Sequence, residues 1–145
     1  MKVLVTGATG GIGRAVCFAF QAAAKARGQQ LVLAAAASRP GPALDALPDE
    51  LAAQGAQVVP LHADLAEPAA CTRLAAEAVE RCDGLDVLVS NAGIVRGAPL
   101  ATLEVDDWDT VFALDVRATW LLARGAHAAP ARSRGAIVAG ATQLS

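Results

Sequence analysis

The opening of this chain constrains its fold more than any other stretch. A short apolar run from Lys2 to Thr6 leads straight into Thr6-Gly7-Ala8-Thr9-Gly10-Gly11-Ile12-Gly13, and an alanine-rich segment continues from Ile12 to about Ala26. The run is rich in valine and leucine, so it reads as a strand; the glycines stop it, and the alanines favour helix. Glycine permits a tight turn, lets backbone approach a diphosphate, and packs the helix close to the strand. The first helical turn then points free N–H groups and the positive end of its dipole at an anion. The spacing fits two templates, T-G-x-x-x-G-x-G through Gly7, Gly11 and Gly13, and T-G-x-x-G-x-x-G through Gly7, Gly10 and Gly13.

Beyond the turn, strands and helices alternate. Strand two is expected from Leu31 to about Ala36, a helix over Ala43 to Ala53, and strand three over Val58 to His62. A helix starts near Pro68, where proline suits the first turn. Strand four spans Val87 to Ser90, a long helix runs from Asp106 to about Ala128, and strand five spans Ala136 to Ala139. Apolar strands separated by helices predict an α/β fold, a doubly wound parallel sheet covered on both faces. The 145 residues suit one domain, and 36 of them are alanine, which blunts helical periodicity and gives spacing patterns more weight.

Composition excludes several classes of function. A net charge of −2 offers no basic face to a nucleic acid. The longest apolar run, Leu31 to Ala37, falls far short of the ~20 residues of a membrane helix. The apolar stretch after Lys2 is too short for a secretory leader. Cys17, Cys71 and Cys82 have neither metal-ligand spacing nor an even count for a disulfide framework, so no metal is expected and a cytoplasmic location is. His62, ending strand three, falls in the core or at its rim; His127 lies late on a helix.

With the glycine turn, two further segments mark a resemblance. Asp64-Leu65 follows strand three, and Asn91-Ala92-Gly93 closes strand four. In this order they resemble the short-chain dehydrogenase/reductase family, in its shorter branch, and the match runs along the whole chain but only about half of a typical family domain. The resemblance implies a Rossmann-like sheet of order 3-2-1-4-5, truncated here after the fifth strand, and an NAD(P)-dependent oxidoreductase. It implies cofactor contacts from Gly7, Thr9, Gly11, Ile12 and Gly13, from Asp64 and Leu65 near the adenine, and from Asn91, Ala92 and Gly93 beside the cofactor.

An acid at the end of strand two would bond the ribose 2′-OH of NAD. None occurs between Met1 and Leu44. An arginine would instead welcome a 2′-phosphate. Ser38-Arg39 is therefore the candidate phosphate site and NADP(H) the expected cofactor, with NAD less favoured; the family's selective position could also fall on Ala35 or Ala36.

Hydride transfer at a carbonyl carbon requires a proton donor or acceptor at the oxygen. The family uses a Tyr-x-x-x-Lys pair after strand five and a serine just behind that strand. This chain contains no tyrosine. Aligning Gly135-Ala136-Ile137-Val138-Ala139-Gly140-Ala141-Thr142 with the family's fifth strand puts Thr142 at the serine, with Ser145 three residues on. Asp115 stands where the family has asparagine, in a stripe with Trp108, Val111, Phe112, Thr119 and Leu122 that predicts an inward-facing carboxylate. Such a group would need a partner or a proton. Thr142 and Asp115 are the catalytic candidates.

Two functional expectations follow. One is the cofactor half of a reductase acting on a small-molecule carbonyl or secondary alcohol, inactive by itself. The other is a catalytically inert dinucleotide-binding module or truncated remnant. A sheet ending at strand five would leave an open edge and a route to self-association.

Overall fold

The computed structural model describes residues 1–127 and 135–140. Five parallel strands form one sheet in the order β3-β2-β1-β4-β5: β1 Lys2–Thr6, β2 Val32–Ala37, β3 Gln57–His62, β4 Val87–Ser90 and β5 Ala136–Ala139. Between them lie α1 Gly11–Ala26, α2 Pro42–Ala52, α3 Pro68–Arg81 and a helical segment after β4 made of α4 Val105–Phe112 and α5 Ala118–Ala126. The expected strand order is the observed one, and Pro60 is accommodated because β3 is an edge strand, where a missing N–H costs least.

Side-chain alternation splits the core into two layers. Val3, Val5, Leu33, Ala35 and Val89 pack under α1 and α2 with Cys17, Leu44, Leu47 and Leu51. Leu4, Ala34, Ala36 and Leu88 face the opposite way, under Leu74 and Ala78 of α3 and Leu121 and Leu122 of α5. Successive strand residues thus serve opposite layers, as a sheet covered on both faces requires. The many alanines let helices come close: a Cβ on Gly125 of α5 would lie 2.8 Å from Cβ of Ala75 on α3.

Helix α1 ends as the sequence indicates. Gly28 takes φ +62, Gln29 N–H reaches Ala24 C=O at 2.9 Å, and Gly28 N–H reaches Lys25 C=O at 3.1 Å, which is a Schellman closure. The helix expected over Asp106 to about Ala128 is observed in altered form. A π turn at Ala113–Arg117 interrupts it, with Ala118 N–H bonded to Ala113 C=O five residues back. One inserted residue rotates everything upstream by about 100° relative to a straight helix. The predicted stripe is therefore out of phase: Leu122 is buried, but Trp108 and Phe112 are exposed and stack on each other at 4.3 Å. Asp115 faces solvent, not the core, for the same reason.

No helix among the described residues is long and apolar enough to cross a membrane. Every residue of β5 is exposed, Ile137 and Val138 included.

Candidate functional site

A cleft of about 260 Å³ opens where the strands end. Its walls are the glycine turn (Thr6, Gly7, Thr9), the end of β2 (Ala36, Ala37, Ser38), the segment after β3 (Ala63, Asp64, Leu65) and the segment after β4 (Ala92, Gly93, Ile94), with Leu74 and Leu114 behind. Sequence segments as far apart as Thr6 and Ile94 meet there because a parallel sheet brings its strand ends to one edge.

The turn is built by steric exclusion. Gly7 has φ +65, and a Cβ on it would lie 3.0 Å from both Ala92 Cα and Asn91 Nδ2. A Cβ on Gly13 would fall 2.0 Å from the Gly7 carbonyl oxygen, so no side chain fits. Gly11, by contrast, has nothing within 4 Å of its Cβ position. Gly10 N–H closes the turn onto Gly7 C=O at 3.1 Å, and Ala8 N–H ties it to Ala36 C=O of β2 at 3.0 Å. Helix α1 then begins with no side-chain cap and no acid in its first turn. Its leading amides, Gly11 to Gly13, have no intrahelical partner, and nothing there repels an anion.

Thr6 and Asn91 lock the turn to β4. The buried Thr6 hydroxyl oxygen accepts the N–H of Asn91 and of Ala92, each at 3.0 Å, and its proton points to Val89 C=O at 3.5 Å. Asn91 Nδ2 donates to Thr6 C=O at 3.0 Å and to Gly7 C=O at 3.4 Å. Two amides later, Ile94 N–H donates to Asp115 Oδ1 at 3.1 Å. Side-chain oxygens thus hold three of the four amides from Asn91 to Ile94. The exposed Asp64 receives Ala66 N–H at 3.0 Å and so turns the chain into α3, while Leu65 is buried.

The expected site residues divide accordingly. Gly7, Thr9, Ser38, Asp64, Leu65, Ala92 and Gly93 line the cleft. Gly13 and Asn91 stand behind it as structural supports. Gly11 and Ile12 sit at the helix start outside the lining, and Ile12 is 73% exposed. Arg39 is exposed beside Ser38 and makes no ion pair among the described residues, whereas Arg14 pairs with Glu50. Ala36 lies in the wall with Ala37, while Ala35 packs in the core below. His62 is exposed at the rim. Thr142 and Ser145 lie outside the described residues. Sequence reasoning passed over the Thr6 hydroxyl, whose signal was its place before Gly7 in both templates, and Leu114, which lies in the π turn and lines the cleft.

The three cysteines are free and buried. Burial raises the Cys17 thiol to about 11, with Arg14 pulling the other way, and raises Cys71 and Cys82 in the same direction. None is poised as a thiolate nucleophile. Among the described residues no group of His, Cys, Asp or Glu could hold a metal.

The family model for short chain dehydrogenase matches residues 1–143. The chain belongs to the short-chain dehydrogenase family. It is 36% identical over 124 residues to versicolorin reductase stcU of Emericella nidulans, an overlap of 86% of this chain and 45% of that one. A solved short-chain dehydrogenase from Burkholderia cenocepacia in complex with NADP superposes with a TM-score of 0.79 at 30% identity, covering 88% of this chain and 50% of that chain. The NADH-dependent reductase A1-R′ complexed with NAD superposes at 0.81 and 27% identity, covering 94% and 56%. The chain therefore spans about half the length of the family members it matches.

Proposed function

We propose that these residues form the cofactor-binding part of an NADP(H)-dependent oxidoreductase that moves a hydride between the nicotinamide and a carbonyl or secondary alcohol. The observation that carries the reading is the cleft itself: a turn whose Gly7 and Gly13 admit no side chain, facing an uncapped, acid-free helix start, at the carboxyl edge of a parallel sheet. Gly7, Thr9, Gly11, Ile12 and Gly13 would seat the diphosphate on backbone amides. Asp64 and Leu65 would flank the adenine, and Asn91, Ala92 and Gly93 would back the ribose and nicotinamide side.

Ser38 and Arg39 would take a 2′-phosphate. Arg39 makes no ion pair among the described residues, Arg14 is engaged by Glu50, and no acid stands between Met1 and Leu44. The NADP complex of the Burkholderia relative supports this cofactor; the NAD complex of reductase A1-R′ is the competing precedent. The cofactor, when bound, supplies the hydride.

These 145 residues supply no phenol to answer the charge on the substrate oxygen. We assign Thr142 to that end as a hydroxyl donor, and Asp115 as the carboxylate that holds Ile94 N–H at the cleft. The absence of tyrosine also favours a second reading, a dinucleotide-binding module that binds without turnover. We place the protein in the reducing cytosol, in keeping with three free thiols, and we assign β5 as the surface for self-association.

Titration of the 145-residue chain with NADPH and NADH, with and without Arg39→Ala, tests the reading. Loss of a charge-assisted contact of ~1.5–3 kcal/mol predicts a ten- to hundredfold weaker NADPH complex in the variant and unchanged NADH binding. Equal NADPH binding in both proteins would remove the 2′-phosphate assignment. Binding without carbonyl reduction is the result expected of these residues alone.

A further inference from the structure

The π turn in the helical segment after β4 is an irregularity that needs a cause. A continuous α-helix would gain better hydrogen bonds, so a π turn persists where its surroundings hold it. Downstream, Ala118, Leu121, Leu122 and Ala126 of α5 are buried and fixed against α3 and the sheet. Upstream, α4 buries no residue. Burial therefore sets the position of α5, while α4 is tied to the segment after β4 by the exposed Arg96–Asp107 ion pair at 2.7 Å.

Two hydroxyls meet at the junction. Thr119 Oγ1 donates to Asp115 C=O at 3.1 Å, and Ser90 Oγ lies 2.8 Å from Thr119 Oγ1. A threonine hydroxyl has one proton, so the bond between the two must be donated by Ser90. Ser90 is buried at the end of β4, immediately before Asn91. Its hydroxyl thus connects the strand end, through Thr119, to a carbonyl inside the π turn. On the far side of the same turn, Asp115 Oδ1 holds Ile94 N–H, and Leu114 lines the cleft.

We infer that Ser90 and Thr119 are positioning residues: their hydroxyl pair pins the π turn in register and so holds Asp115 against Ile94 and Leu114 at the cleft. Annealing the turn to a regular α-helix would rotate residues upstream of it by about 100° and carry Asp115 away from Ile94. The link to nucleotide binding rests on the function proposed above; the link to Ile94 does not.

The test uses amide exchange at Ile94, measured by NMR on the full chain without nucleotide, and NADPH affinity as a separate arm. Thr119→Val and Ser90→Ala should each speed Ile94 exchange about tenfold, and the double variant should add nothing further. Thr119→Ser, which keeps the hydroxyl, should restore the wild-type rate, and Asp115→Ala should match Thr119→Val. Ile94 protection left intact in folded Thr119→Val or Ser90→Ala would overturn the inference. Should Thr119→Val not fold, the Ser90→Ala and Thr119→Ser pair decides alone. Faster Ile94 exchange in variants of unchanged NADPH affinity would uphold the pin and count against the cofactor reading of this cleft wall. Weakened NADPH binding at unchanged Ile94 exchange would do the reverse.

Discussion

The glycine turn and the helical segment after β4 both border the cleft, yet they are built in opposite ways. Around the turn, backbone groups are paired across β1, β2 and β4, Thr6 and Gly13 are buried, and Gly7 and Gly13 leave no room for a side chain. On the other side, α4 buries nothing, β5 is exposed throughout, and Val105, Trp108, Phe112, Val116 and Trp120 present apolar surface. One region is specified by its own neighbours; the other is held at a few points. The contrast teaches that substitutions of equal size should have very unequal effects on the two sides of one site.

The largest effect is expected at Gly13. Gly13→Ala places a methyl group 2.0 Å from the Gly7 carbonyl oxygen, in a turn with no flexible neighbour to yield. Overpacking of this kind costs about 1–3 kcal/mol and more where backbone must move, so urea denaturation should show at least ~3 kcal/mol lost. Gly11→Ala, two residues earlier and open, should be neutral or gain up to ~1 kcal/mol from helix propensity. Equal losses for the two would break the comparison.

Next comes Thr6→Val, which keeps the shape and removes the acceptor shared by Asn91 and Ala92. Stranding a buried amide costs ~1–3 kcal/mol and a half-buried one less; with both amides half-buried, a loss of roughly 1–3 kcal/mol in the same assay is expected. A value under 0.5 kcal/mol would mean that the lock between turn and β4 does not matter.

Cys17, on the inner side of α1, sharpens the same point by pH. Its thiol rises from 9.0 to about 11 on burial, so the folded state keeps a proton that the unfolded chain releases. That stabilisation is intact below pH 9 and is lost as pH climbs from 9 toward 11, by on the order of 2 kcal/mol. Cys17→Ala should flatten this part of the stability–pH curve, and an unchanged slope would contradict the assignment.

The smallest effects on stability belong to the open side. Trp120→Gln and Val138→Lys should each change unfolding free energy by under ~0.5 kcal/mol, as surface substitutions do. Sedimentation velocity should nevertheless show Val138→Lys reducing association at micromolar concentration, because a charge on an edge strand opposes pairing. A wild-type chain that is already a monodisperse monomer would remove the edge from consideration.

The sequence was most readable where chemistry needs particular residues at fixed spacing. The glycine turn and Gly28 as a helix stop could be read because glycine geometry acts locally, whereas the strand order and the place of Asn91-Ala92-Gly93 came through the resemblance to the family. The Asp115 orientation could not. A π turn adds one residue to a helix without a local signature, and its causes, Ser90 and Thr119, lie 29 residues apart. The role of Thr6 was hidden for a similar reason, since its partners Asn91 and Ala92 come from the segment after β4, 85 and 86 residues away.

Calorimetric titration of the folded chain with NADPH is the most direct trial of the cofactor site. A saturable one-to-one heat that disappears in Gly13→Ala and survives in Trp120→Gln, on the exposed face of α5, is predicted. A chain that keeps its circular dichroism yet gives no heat with NADPH or NADH would contradict it.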